Sequence, residues 1–141
     1  MEINLNELAQ SIHDNAKAKG FWNTLKTLEK LELKISNIAL RTPGSAEDQD
    51  LECEAYNLLT QIKKDFEQFH RTTLIMLIVT ELAEAVEGLR HGDDANHAEE
   101  MADALIRTLD YCKGYGIDIE KAVVEKMSRN AQRPPMHGKK F

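Results

Sequence analysis

Apolar residues recur three and four positions apart through most of the 141-residue chain, and prolines occur only at Pro43, Pro134 and Pro135. At about 100° per residue this spacing gathers them on one side of a helix, so the chain is expected to be all-α. Asn4 or Asn6 caps a first helix that aligns Leu5, Leu8, Ala9, Ile12 and Ala16, and Gly20 suits its end. Phe21 and Trp22 follow the break. A second helix is expected over about 23–40, and Thr42-Pro43-Gly44-Ser45 makes a turn before an acidic link.

A stripe of Leu51, Ala55, Leu58, Leu59, Ile62, Phe66 and Phe69 then runs to about His70, where its phase slips. It resumes through Leu74, Leu77, Ile78, Leu82, Ala85 and Leu89, as one long bent helix or as two joined near Arg71-Thr72-Thr73. After the polar turn Gly92-Asp93-Asp94, the residues Ala98, Met101, Ala102, Leu105, Leu109 and Cys112 mark another helix, ending at Gly114 or Gly116. Asp118 caps a last helix to about Asn130. The segment 132–141, with Pro134-Pro135, is expected to be an irregular tail. There is no internal repeat, and the length suits one domain over 1–141.

Charge narrows the class of function. Eighteen basic against 24 acidic residues give a formal charge of −6, and no basic stretch is present to follow a nucleic-acid backbone. The longest apolar run, 74–79, is far short of the roughly 20 residues that span a bilayer, so no membrane partner is expected. Cys53 and Cys112 stand apart and form no Cys-x-x-Cys, which fits a reducing, cytoplasmic setting.

Against this plain background Glu81 is anomalous, because it falls between Leu74 and Leu77 on the apolar stripe, where a lone carboxylate is costly. Glu84 lies one turn on, so the two project together and repel unless a cation separates them. Such a pair is half of a hard-metal site. Glu100 and Asp103 form a second pair on the next helix. Alone they read as a solvated face shared with Arg107 and Asp110; beside Glu81 and Glu84, four carboxylates can converge across two antiparallel helices. Glu87 and Glu99 are read as surface residues.

In the last helix the line of Ile119, Ala122 and Val123 continues as Lys126, Asn130 and Arg133. These either snorkel at a helix end or face something anionic, and a basic line beside an acidic metal site favours the second reading. Arg129 is a weaker candidate. Near the start, His13, Asn15, Lys19 and Trp22, with Phe21, surround one helix end. Singly the aromatics are a core plug and His13 a structural histidine; as a set they could hold a base.

The segments Glu81-Leu82-Ala83-Glu84, Gly92-Asp93, Glu100-Met101-Ala102-Asp103, Gly116-Ile117-Asp118 and 125–134 together resemble the MazG-like all-alpha nucleoside triphosphate pyrophosphohydrolases. The resemblance covers about 72–141, and 13–22 looks like the amino-terminal element of some members. It implies a helical bundle completed by oligomerisation into a homodimer or homotetramer. It also implies Mg²⁺-dependent cleavage of an NTP or dNTP to a nucleoside monophosphate and pyrophosphate, with Mn²⁺ able to substitute. By similarity Glu81, Glu84, Glu100 and Asp103 would hold metal, Glu81 or Glu84 would also serve the attacking water, and His13, Asn15, Lys19, Trp22, Lys126, Asn130 and Arg133 would bind substrate.

Two rivals compete with that reading. A carboxylate di-iron bundle would use Glu67-Gln68-Phe69-His70 but normally needs a second Glu-x-x-His, which the sequence lacks. A non-catalytic helical dimerisation protein would gain nothing from Glu81 and the Lys126, Asn130, Arg133 line on its seams.

Overall fold

The computed structural model describes residues 4–39 and 46–133. Among them are five α-helices and no strand: α1 (Leu5–Ala18), α2 (Asn23–Ala39), α3 (Ala46–His91), α4 (Asp94–Gly114) and α5 (Ile119–Ala131). The fold is all-α. The expected turn Thr42-Pro43-Gly44-Ser45, the tail from Pro134 onward and the side chain of Leu51 lie outside the described residues.

Short polar residues start the helices. Asn4 Oδ1 accepts from the Glu7 backbone N–H at 3.0 Å, so Asn4 rather than Asn6 caps α1. Asp93 and Asp118 cap α4 and α5 by accepting from the backbone N–H groups of Asn96 and Lys121. The same paired bonds close α1 and α3. The Phe21 N–H reaches Ala16 O and the Gly20 N–H reaches Lys17 O, and at the end of α3 the Asp93 N–H reaches Gly88 O and the Gly92 N–H reaches Leu89 O. Gly92 takes φ of +67°, which only glycine adopts cheaply, and this turns the chain directly from α3 into α4.

Helix α3 is one continuous helix, which settles the alternative left by the phase slip. Its buried and half-buried line runs Leu59, Phe66, His70, Leu74, Ile78, Glu81, Ala85, Gly88. Three successive steps of four, from Phe66 to Ile78, shift the line around the helix without breaking it. The slip is a change of spacing, not a joint.

The chain divides into two compact units: Met1–Asn15 with Leu77–Phe141, and Ala16–Met76. In the first, Ala9, Ala85, Ala104, Leu109 and Cys112 are buried. An alanine Cβ built at buried Gly88 would stand 2.9 Å from the His97 backbone nitrogen, so the end of α3 and the start of α4 are in near-contact. His97 Nδ1 lies 3.0 Å from Ala85 O across the same junction.

The expected apolar stripe of α4 needs correction. Met101 and Leu105 are exposed, whereas Glu100, Asp103, Arg107 and Asp110 are half-buried. Helix α4 carries two apolar lines, and the inward one, Ala104, Leu109 and Cys112, runs beside charged residues whose partners lie on other helices, Arg107 against Glu81 and Asp110 against His13. Leu82, Val86 and Leu89 on α3 are exposed in the same way.

In the second unit Trp22 and Leu59 are buried. Trp22 meets the His70 ring edge-on with centroids 5.3 Å apart, and Phe66 stacks on the same histidine at 6.1 Å. The Lys63 ammonium and the Glu32 carboxylate, 2.6 Å apart, join α2 to α3.

Candidate active site

Helix α3 presents Glu81 and Glu84 one turn apart, and α4, returning after the tight Gly92 turn, presents Glu100. One oxygen of each lies within 4.8 Å of the others. Among the described residues this is the one group of three acidic, histidine or cysteine side chains placed to share an ion. Glu81 is 6% exposed, as its place on the apolar line requires; Glu84 is exposed and Glu100 half-buried. Asp103, half-buried one turn further along α4, falls outside the group of three.

The cluster carries an excess of negative charge. Loss of water holds the Glu100 carboxyl above the ordinary carboxylate range, with the hydrogen bond to Glu81 and the charge of Glu84 acting in the same direction. Asn96 Nδ2 opposes this by donating to Glu100 Oε1 at 3.2 Å. One cation stands against Glu81: Arg107 Nε is 2.6 Å from Glu81 Oε1. Three crowded oxygen donors suit a hard divalent ion better than a thiophilic one.

The other expected site residues are dispersed. His13 is buried and lies 2.6 Å from Asp110 Oδ1, pinning α1 to α4. Asn15 is exposed. In the second unit Lys19 is exposed, and Trp22 is packed in the core. Lys126, Asn130 and Arg133 are all exposed, and the first two share one face of α5. Val123, Val124 and Met127 are exposed too, so among the described residues nothing covers that part of the helix.

Sequence reasoning gave Arg107 no role beyond a surface charge. Its spacing from Glu100 and Asp103 was the available signal, since 100, 103 and 107 share one helical line. Gly88 and His97, which set how closely α3 and α4 approach, left none.

Residues 69–137 match the MazG nucleotide pyrophosphohydrolase domain. That segment, just under half of the chain, is similar to the MazG family domain. The match contains α4, α5 and the part of α3 that bears Glu81 and Glu84, hence the whole carboxylate group. The chain is also 30% identical over 89 residues to dCTP pyrophosphatase 1 of Rattus norvegicus, an alignment covering 53% of this chain and 52% of the rat protein. It thus spans about half the length of that curated relative. No solved structure gives a significant match. No helix among the described residues is long and apolar enough to cross a membrane.

Proposed function

We propose that the protein is a divalent-metal-dependent nucleotide pyrophosphohydrolase that cleaves a nucleoside or deoxynucleoside triphosphate to the monophosphate and pyrophosphate. The observation that carries the reading is the convergence of Glu81, Glu84 and Glu100 within a MazG-family segment, with Glu81 buried. The rat relative is named for dCTP, which makes deoxycytidine triphosphate the first substrate to try.

Mg²⁺, with Mn²⁺ as a substitute, fits the all-oxygen donor set; when bound it would neutralise charge developing on the polyphosphate. Glu81, Glu84 and Glu100 would hold it, with Asp103, one turn along the same face of α4, as the expected fourth ligand. Exposed Glu84 is the carboxylate best placed to accept a proton from an attacking water, since its oxygen reaches solvent while Glu81 is enclosed. Lys126, Asn130 and Arg133 would contact the phosphates. Asn15, which is exposed, would serve for the base or sugar, whereas His13 is buried against Asp110 and would act only by holding α1 on α4. Exposed apolar lines on α3, α4 and α5 favour a second copy of the chain as their cover, in a homodimer or homotetramer.

A panel of ribo- and deoxyribonucleoside triphosphates, with pyrophosphate and orthophosphate detected separately, tests the activity. Pyrophosphate release that stops in excess chelator and falls at least about a hundredfold in Glu81→Gln is expected. Orthophosphate as the sole product, or full activity in chelator, would sink the reading.

A further inference from the structure

The Glu81–Arg107 pair poses a conflict if Glu81 is a metal ligand. Arg107 Nε stands 2.6 Å from Oε1 of a carboxylate whose side chain is only 8% exposed, so the guanidinium already supplies the charge that a buried carboxylate needs. A divalent ion that used Glu81 Oε1 would meet a guanidinium nitrogen already 2.6 Å from that oxygen, so the two cations compete for the same ligand atom. The Arg107 side chain is 41% exposed and so has an outward path. A triphosphate beside the metal would offer the planar guanidinium a two-pronged pair of acceptor oxygens of higher charge than Glu81.

From this geometry we propose that Arg107 is a positioning residue that competes with the metal for Glu81 and is drawn off by the nucleotide's phosphates. This rests on the metal-site reading above and adds a regulatory consequence. Metal alone meets an occupied ligand and binds weakly; nucleotide alone meets an arginine engaged elsewhere. Together they relieve one conflict, so each raises the other's affinity by the same factor. Full metal loading then follows substrate arrival.

The two roles open to Arg107 predict opposite signs. If it merely orients Glu81, removing it weakens metal binding; if it competes, removing it strengthens metal binding. Calorimetric titration with Mn²⁺ alone should therefore give a dissociation constant about tenfold lower in Arg107→Met than in the wild type, within the usual range of coupling between sites. Arg107→Lys, which keeps a cation on the same stem, should stay near wild type. Repeating the titrations with a nonhydrolysable α,β-methylene deoxynucleoside triphosphate should tighten Mn²⁺ binding strongly in the wild type and far less in Arg107→Met. Circular dichroism establishes that each variant is folded, and Arg107→Gln replaces the methionine variant if that one is not. Mn²⁺ affinity that is unchanged or weaker without the arginine overturns the proposal while leaving the metal site intact. Wild-type protein that binds no Mn²⁺, or a Glu81→Gln variant that binds it undiminished, overturns the metal-site reading itself and the proposal with it.

Discussion

Replacing Gly88 with alanine tests how the α3–α4 junction sets the distance between the carboxylates. The new Cβ would lie 2.9 Å from Asn96 Oδ1, 2.9 Å from the His97 backbone nitrogen and 3.2 Å from Asp93 O. Comfortable contact begins near 3.5 Å, so the first turn of α4 must retreat by about 0.6 Å. The backbone nitrogen cannot rotate aside as a side chain could. Overpacking of this kind costs about 1–3 kcal/mol, against which alanine gains up to about 1 kcal/mol over glycine inside a helix. A net loss of up to about 2 kcal/mol is expected in urea unfolding. The retreat also draws Glu100 away from Glu81 and Glu84, so Mn²⁺ should bind several-fold more weakly. Gly92→Ala is the matched control. Its Cβ meets nothing within 4 Å, but φ of +67° makes alanine strained by about 1–2 kcal/mol. It should lose similar stability and keep its Mn²⁺ affinity. Unchanged stability and affinity in Gly88→Ala, or equal loss of affinity in both variants, would refute the spacing argument.

Three further outcomes are expected. Lys126→Met and Arg133→Met should each weaken binding of a nonhydrolysable triphosphate by about ten- to hundredfold, the worth of one charge-assisted contact, with Mn²⁺ affinity unchanged; calorimetry on both variants decides. His13→Ala leaves Asp110 without the ring that touches it at 2.6 Å and should lower stability by about 1–3 kcal/mol in urea unfolding. Asp118 is held below the ordinary carboxylate range, chiefly by the hydrogen bond from Asn6 and then by the Lys121 backbone N–H. Its stabilisation is therefore complete above the unfolded value of about 3.9 and is lost as pH falls through the lower folded one. Asp118→Ala should be destabilised at neutral pH, and melting curves should show the gap to wild type closing in strong acid.

The clustering of Glu81 and Glu84 with Glu100 was legible because Glu81 breaks a pattern: one charged residue on an apolar line demands a partner, and the next helix offered carboxylates, of which Glu100 joins the group and Asp103 does not. Helix ends were legible for a related reason at Gly20 and Asp118, which have few other uses at those positions, whereas the choice of Asn4 over Asn6 and the capping role of Asp93 came from their hydrogen bonds. The inward face of α4 was not. Met101 and Leu105 form as good an apolar line as Ala104, Leu109 and Cys112, and local spacing cannot tell which line meets the rest of the unit. The pairings of His13 with Asp110 and of Glu81 with Arg107 were hidden because each joins residues distant along the chain. Periodicity reports which residues share a face, not which faces meet.

The hydrogen bond from Asn6 Nδ2 to Asp118 Oδ1, 2.9 Å long, spans 112 residues of chain and ends on the residue that nucleates α5. Contacts of such sequence separation form late, since nearly the whole chain must be in place before they compensate the lost loop entropy. The beginning of α1 should therefore dock among the last events of folding and detach among the first of unfolding. Hydrogen exchange would show this as shared, low protection of the first turns of α1 and α5. For anyone trimming the protein, the practical boundary lies at Asn4 and Asn6: a deletion past them removes a helix cap and, at the far end of the sequence, loosens the start of the helix that bears Lys126 and Asn130.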